Sequence, residues 1–211
     1  MSSKAASSRL NSLLEQAGIE PLDSATTAKF EVYLSLILRW NAKTNLTAVR
    51  DEEGILSRHF VESIACAQVL PAGIRSLLDF GSGAGFPGVP IALCRPEIEV
   101  TLAESHGKKA AFLQEVVRTL HLKAHVYPRR GETLKGPYEG VTLRAVEKMP
   151  EAVAAAANLV GPGGWLVLMT TVEDLGSQTA STLGQFEWQV ASALPASKNR
   201  ILAIGQRANH S

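Results

Sequence analysis

The sequence predicts an α/β domain with a mostly parallel sheet, preceded by amphipathic helices. From Ser76 onward, short β-prone runs alternate with helical patterns, which is typical of parallel strands joined by right-handed crossovers. The segment Leu77–Gly88 is an apolar run that ends in an acid and continues into a glycine-dense turn, as a buried strand does where it passes into a helix. We therefore expect a ligand site at the carboxyl end of the first strand.

Composition limits the chain to one folding unit. Its 211 residues, 45% of them apolar, suffice for one substantial core and are few for two ordinary domains. We expect a helical extension over residues 1–70, packed on a domain of residues 71–211. Cys66 and Cys94 lie in apolar helical patterns without metal-ligand spacing, as core residues of a reducing compartment do. No apolar run is long enough to cross a membrane, so we expect a cytoplasmic protein that does not bind a membrane. We also expect a monomer without a metal site.

Three helices are predicted before the sheet, at about 9–19, 24–41 and 52–70. Each has apolar residues at i, i+3 and i+4 spacing, which indicates one buried face. Asp23 or Ser24 can cap the second helix, and the acids at 51–53 suit the start of the third. His59 lies on the apolar face of the third helix. A hydrogen-bonded, half-buried histidine is the ordinary interpretation there, and a ligand-binding role is the alternative.

The remaining elements alternate along the chain. Strands are predicted at about 76–80, 98–103, 124–128, 138–143, 165–169, 186–193 and 199–205, with helices at about 88–94, 106–121 and 149–160. Gly161–Gly164 is expected to end the last helix. The last two strands are joined by only a short linker and must be antiparallel, because a parallel return needs a longer crossover. A parallel sheet closed by an antiparallel C-terminal hairpin is the arrangement of class I methyltransferases.

The glycine-rich turn narrows the ligand class. Gly81, Gly83 and Gly85 follow a G-x-G-x-G spacing, which differs from the G-x-G-x-x-G dinucleotide fingerprint, and no Lys-Ser or Lys-Thr follows as in a P-loop. A nucleoside-type ligand without a pyrophosphate remains, and S-adenosylmethionine is the candidate. Glu104 ends the second strand about 20 residues later and could hold ribose hydroxyls. The alternative for the glycine-rich segment is a turn that binds no ligand. The alternative for Glu104 is a solvated carboxylate at the end of a strand.

Charge is concentrated in one segment. The net charge is +1, but residues 105–150 carry 9 lysines and arginines against 4 acids. Such a basic segment favours a polyanionic partner, whereas a merely solvated helix and loop is the alternative. Lys108, Lys109 and Arg118 lie on the helix after Glu104, and we expect them, with the later loop, to lie beside the cofactor edge of the sheet.

Several motifs together resemble a known family. They are Asn45-Leu46-Thr47, Arg58-His59-Phe60-x-Glu62-Ser63, Leu78–Pro90, Arg95-Pro96, Glu104–Leu113 with its Gly107-Lys108-Lys109, and Arg144-Ala145-Val146. Over about residues 10–205 the chain resembles the RsmG/GidB family, bacterial methyltransferases that modify a guanine of 16S ribosomal RNA at N7. The resemblance implies S-adenosylmethionine as cofactor and small-subunit ribosomal RNA, or the small ribosomal subunit, as partner.

The resemblance also implies roles for individual residues. The cofactor pocket would comprise Gly81, Ser82, Gly83, Gly85, Phe86, Glu104, Gly131, Glu132 and Arg144. Arg144 would be the catalytic residue and hold the methionine carboxylate or an RNA phosphate; a surface ion pair with Glu147 is the alternative. The RNA would contact Lys108, Lys109, Arg118, Arg129, Arg130, Arg58 and His59.

Three positions depart from the family pattern. Glu104 stands where aspartate is usual, Met169-Thr170-Thr171 replaces a Lys-Gly pair, and Asn199-Arg200-Ile201 keeps an arginine but lacks a following histidine. Transfer to guanine N7 needs no general base, because N7 has a free lone pair, so positioning is the main requirement. The rival interpretations are a methyltransferase of the same fold acting on a small molecule and a non-enzymatic nucleotide-binding module.

Overall fold

The computed structural model describes residues 3–145, 148–176, 180–189, 192–195, 197 and 199–208. Its helices are α1 (Ser3–Gln16), α2 (Ser24–Asn41), α3 (Glu52–Gly54), a π-helical segment (Ile55–Phe60), α4 (Val61–Val69), α5 (Gly88–Cys94), α6 (Gly107–Leu120), a 3₁₀ turn (Gly131–Thr133), α7 (Met149–Ala157), α8 (Val172–Gly176) and α9 (Ala180–Leu183). Val146 and Glu147 lie outside the described residues, and so does the ion pair considered for Arg144.

The strands form one sheet in the order β3-β2-β1-β4-β5-β8-β6, with β7 also paired to β8. Their bounds are β1 (Ser76–Phe80), β2 (Glu99–Ala103), β3 (Ala124–Tyr127), β4 (Tyr138–Arg144), β5 (Val160–Thr171), β6 (Phe186–Trp188), β7 (Ser192–Ala193) and β8 (Arg200–Arg207). β1 to β5 pair in parallel, and β8 pairs antiparallel with β5, β6 and β7. The predicted α/β architecture with an antiparallel C-terminal strand is confirmed.

The N-terminal helices share a hydrophobic core with one face of the sheet. Buried side chains of α1, α2 and α4 pack in the same cluster as those of α5, α6 and β1. The opposite face is covered by α7 in a second cluster. This shared core supports our expectation that the extension and the sheet fold as one unit, which stays a prediction.

The start of the second helix follows the predicted capping. Asp23 is its N-cap and accepts hydrogen bonds from the backbone N–H groups of Ala25 and Thr26, which satisfies two of the unpaired donors at the start of the helix. The predicted third helix is continuous from α3 to α4 but contains the π-helical segment, which adds a residue to the turn that carries His59. No described helix is long and apolar enough to span a membrane.

Two strand predictions need correction. β5 begins at Val160, not near 165, so Gly161–Gly164 lies within the strand after α7 has ended. The register between β4 and β5 shifts between Tyr138 and Gly140, which accommodates this glycine-rich start. The strand expected over 186–193 is two short strands, and residues 190–191 between them lie outside the described residues.

Candidate methyltransferase site

A cavity of about 1020 Å³ lies at the carboxyl ends of β1, β2 and β4, where open α/β sheets bind ligands. Of the residues assigned to the cofactor, it is lined by Gly81, Ser82, Gly83, Phe86, Glu104, Gly131, Glu132 and Arg144. Of those assigned to RNA, it is lined by His59, Lys109, Arg129 and Arg130. The chain therefore brings most of the predicted site residues to one place.

The turn after β1 presents bare backbone to this cavity. Gly83 has a φ of +57°, and a Cβ there would meet only the Gly81 carbonyl oxygen at 3.9 Å. The backbone N–H of Gly83 donates to Glu104 Oε2 (2.9 Å), and that of His106 donates to Glu104 Oε1 (2.7 Å). Each carboxylate oxygen has further acceptor capacity, which fits the two hydroxyls of a ribose. Glu104 thus orients the turn and remains able to bind a ligand.

Gly85 does not line the cavity, although it was assigned to the cofactor. A Cβ at Gly85 would lie 2.7 Å from the Tyr33 hydroxyl, so this glycine allows close packing beneath the turn. Tyr33 also donates to the Ala84 carbonyl (2.5 Å). Its ring belongs to a buried aromatic cluster that includes Phe60 and Phe86. The turn is therefore supported from below by helix α2.

The glycine spacing also needs correction. Gly83, Gly85 and Gly88 follow the G-x-G-x-x-G pattern, so the prediction that the turn departs from this pattern, which is based on Gly81, Gly83 and Gly85, is wrong. A Cβ at Gly88 would lie 2.4 Å from Leu102 Cδ2 and 2.6 Å from Asp79 Oδ2. Gly88 thus performs the close helix–strand packing of the third glycine in that pattern. This similarity concerns packing and does not by itself indicate a pyrophosphate.

Asp79 is buried beneath the turn and was not assigned a role. Its Oδ2 accepts from the Gly88 N–H (3.1 Å), and its Oδ1 accepts from Thr142 Oγ1 (3.0 Å). Burial raises the pKa of Asp79 to about 6, against the opposing effect of these hydrogen bonds. The carboxyl group fixes the start of α5 to β1 and β4. Its place below the loop excludes it from direct ligand contact.

Arg144 is a buried junction between β4 and the N-terminal helices. Its Nη2 lies within hydrogen-bond distance of the Arg58 carbonyl (3.2 Å), His59 Nδ1 (2.9 Å) and Glu62 Oε2 (2.9 Å). Arg200 on β8 pairs with the other oxygen of Glu62. Burial lowers the pKa of Arg144 to about 10, which leaves the guanidinium charged at neutral pH. Arg144 reaches the cavity wall, but most of its donors serve the protein.

His59 is neutral, and its ring is fixed by a stacking contact and by a hydrogen bond. Its ring stacks on Phe86 with centroids 4.6 Å apart, and its Nε2 lies 2.8 Å from Thr47 Oγ1. Burial, followed by the charge of Arg144, lowers its pKa to about 3. A proton-transfer role at neutral pH is therefore disfavoured.

Three residues assigned to RNA lie away from the cavity wall. Lys108 is exposed at the start of α6 beside Lys109, and Arg58 is exposed on the π-helical segment. Arg118 lies in the last turn of α6, 11 residues beyond Gly107 and thus about 16 Å along the helix axis. Because α6 runs away from the carboxyl edge of the sheet, the expectation that Arg118 lies beside the cofactor edge is not met.

Sequence reasoning missed several lining residues. They are Leu46, Thr47, Ala48, Ser105, His106, Ala145, Lys148, Glu151 and Ala152, together with Phe80, Ala84 and Ala103 of the strand ends and turn. Two features of the sequence could have indicated some of these residues, namely the motif around Thr47 and the position of Ala145 at the end of a strand. Thr171, the last of the three residues where the resemblance predicts Lys-Gly, ends β5 just before α8 and accepts from the Asp174 N–H through its Oγ1 (3.0 Å).

Comparison with known proteins decides the family. A model of the GidB family, described as rRNA small subunit methyltransferase G, matches residues 26–200. The chain belongs to this family. A family relative, the ribosomal RNA small subunit methyltransferase G of Xanthomonas oryzae pv. oryzae strain MAFF 311018, is 42% identical over 153 residues, 71% of each protein.

Solved structures support the fold. The S-adenosylmethionine-dependent methyltransferase SibL in its apo form has a TM-score of 0.59 at 17% identity, covering 74% of this chain and 56% of that one. The structure of a Klebsiella pneumoniae protein described as an O-methyltransferase has a TM-score of 0.59 at 13% identity, covering 97% and 98%. At these identities the likeness establishes the class I methyltransferase fold and nothing about substrates.

Proposed function

We propose that this chain transfers a methyl group from S-adenosylmethionine to N7 of a guanine in 16S ribosomal RNA. The observation that carries the proposal is the cavity that places an open glycine turn and Glu104 beside basic side chains. Family membership supports small-subunit ribosomal RNA as the substrate. We further propose that the enzyme acts as a monomer in the cytoplasm.

The residues present fit the cofactor. The space above Gly83 is open, and Glu104 has acceptor capacity for ribose hydroxyls. Gly131 and Glu132 line the same cavity and are suited to the polar edge of an adenine. When bound, S-adenosylmethionine supplies an activated methyl group. The methionine carboxylate is the ligand group that we assign to Arg144, because its charged guanidinium reaches the cavity wall at the end of β4.

The protein's contribution to the reaction is positioning. Guanine N7 carries a lone pair and no proton, so no side chain has to remove one. Fixing two reactants in a reactive geometry can lower the barrier by roughly 7–11 kcal/mol. The buried turn, Glu104 and the Arg144 junction provide such a fixed frame, and neutral His59 agrees with the absence of an acid–base step.

Glu104→Ala is expected to weaken S-adenosylmethionine binding by about 1–3 kcal/mol, through loss of hydrogen bonds to an ionised acceptor and release of the Gly83 turn. Calorimetric titration measures this change. Glu99→Ala, at the exposed start of the same strand, is the control and should bind normally. Unchanged affinity in Glu104→Ala would remove Glu104 from the cofactor site.

Replacing Lys108 and Lys109 together by alanine is expected to weaken RNA binding and to reduce the slope of log affinity against log salt by roughly two phosphate contacts. Cofactor affinity should stay within about twofold. Arg118→Ala is the control, because it removes one charge from the other end of the same helix and should leave the salt slope unchanged. If the double variant keeps the wild-type salt slope, these lysines belong to a solvated face.

The overall proposal is tested by counting methyl groups transferred from labelled S-adenosylmethionine. Purified small-subunit RNA and assembled small subunits, both from cells lacking the enzyme, are the two substrates. We expect incorporation to approach one methyl group per RNA in at least one of them. Binding of S-adenosylmethionine without transfer to either would favour the nucleotide-binding module or a small-molecule acceptor.

A further inference from the structure

The loop between α2 and α3 forms one wall of the cavity through Leu46, Thr47 and Ala48. The buried side chain of Asn41 fixes this loop. Its Oδ1 accepts from the N–H groups of Leu46 (3.0 Å) and Thr47 (3.3 Å), and its Nδ2 donates to the Val49 carbonyl (3.2 Å). The position of Thr47 is therefore set by the fold.

The hydrogen bonds that reach Thr47 have a defined direction. A guanidinium group can only donate, so Arg144 Nη2 donates to His59 Nδ1 across 2.9 Å. A neutral imidazole that accepts at Nδ1 carries its proton on Nε2. The His59 Nε2–H therefore donates to Thr47 Oγ1, 2.8 Å away. The low pKa of His59 agrees with this neutral tautomer.

The Thr47 hydroxyl accepts a second hydrogen bond, from the Val49 N–H (3.2 Å). A hydroxyl has two acceptor positions and one proton, so both acceptor positions are used and the proton remains. Within the described part of the chain, no side chain or backbone oxygen accepts that proton. Since Thr47 lines the cavity, its hydroxyl is a hydrogen-bond donor available to a ligand there.

Guanine offers a matching acceptor. Its N7 and O6 lie side by side on one edge, whereas adenine has an amino donor where guanine has O6. N7 must stay free for the methyl group, so a donor beside it would bind O6 and would oppose the adenine amino group. We propose that the Thr47 hydroxyl donates to O6 of the target guanine and selects guanine over adenine.

This inference rests on the proposed function and names a contact within the same site. The groups that fit the cofactor's ribose lie at the ends of β1 and β2, in the turn at Gly81–Gly83 and at Glu104. Thr47 comes from the helical layer instead and contacts His59 Nε2, whereas Arg144, to which the methionine carboxylate is assigned, contacts Nδ1 at the other side of the imidazole. For this reason we assign its hydroxyl to the base and not to the cofactor.

The test compares RNA that carries guanosine at the methylated position with RNA that carries 2-aminopurine, which keeps N7 but lacks O6. Thr47→Val is expected to lower kcat/KM on guanosine RNA by about tenfold and to change little on 2-aminopurine RNA. Thr47→Ser keeps the hydroxyl and should restore the wild-type preference. The two bases can differ in the intrinsic reactivity of N7. This difference cancels, because Thr47→Val is compared with the wild type on each RNA separately.

A merely structural disturbance by Thr47→Val would lower activity on both RNAs equally, leaving the wild-type preference intact, and that result would overturn the proposal. A substantial loss of S-adenosylmethionine affinity in Thr47→Val, measured by calorimetry, would show that the donor serves the cofactor and would also overturn it. Failure of the proposed function is distinct, because the wild-type enzyme would then methylate no guanosine RNA at N7.

Discussion

Gly83→Val is expected to reduce S-adenosylmethionine affinity by at least about 100-fold, to below detection in a calorimetric titration, in a protein that still folds. A β-branched side chain at this positive φ is strained by roughly 1–2 kcal/mol. Its atoms would also occupy the open space that the turn leaves for the ligand. The fold should persist, because a Cβ at Gly83 meets no packed side chain.

Gly18→Val is the matched control for this variant. Gly18 follows α1 with a φ of +70°, and a Cβ there would meet nothing within 4 Å. Both variants therefore carry similar backbone strain, but only one alters the cavity. Normal cofactor binding by Gly83→Val, or equal losses in both variants, would contradict the placement of the cofactor over this turn.

Glu62→Ala is expected to lower the free energy of unfolding by about 3–5 kcal/mol, because it removes the carboxylate that lies between two arginines. The side chain of Glu62 is 1% exposed and pairs with Arg144 and Arg200. Burial raises the pKa of Glu62, and the two guanidinium groups oppose that rise. Without the carboxylate, two like charges would remain together, one of them buried. Denaturant unfolding measures the change.

Glu52→Ala provides the comparison for an exposed ion pair. Glu52 pairs with Arg9 at 3.0 Å, but the two side chains are 37% and 44% exposed. Solvent screens such an exposed pair, so this variant should be nearly as stable as the wild type. A loss below about 1 kcal/mol in Glu62→Ala would show that the junction does not stabilise the fold.

Periodicity was enough to predict most of the fold. The alternation of β-prone and amphipathic runs gave the parallel sheet, and the short linker before Arg200 gave its antiparallel end. The glycine turn and Glu104 were placed at one edge because parallel strands end together there. Each of these features follows from the spacing of residues that are close together in the chain, so the sequence alone was sufficient to predict it.

The remaining features depend on contacts between distant residues. Glu62 and Arg144 are 82 positions apart, and no local pattern shows that they pair. The apolar residues of the π-helical segment at Ile55–Phe60 follow the spacing that is typical of an α-helix, so the sequence predicted a regular helix there. Gly161–Gly164 has the composition of a loop, yet pairing with β4 draws it into β5. Thr47 gained significance only from the direction of the bonds around it.

The most direct test of the account is identification of the methylated atom. Small-subunit RNA and assembled small subunits, both from cells lacking the enzyme, are each incubated with the protein and S-adenosylmethionine carrying a deuterated methyl group. The RNA is then digested to nucleosides and analysed by mass spectrometry against nucleoside standards. We expect the label in 7-methylguanosine from at least one of the two substrates, with none after treatment with Gly83→Val. Label on another atom or base, or no label in the RNA of either substrate with confirmed cofactor binding, would contradict the assignment of guanine N7 as the acceptor.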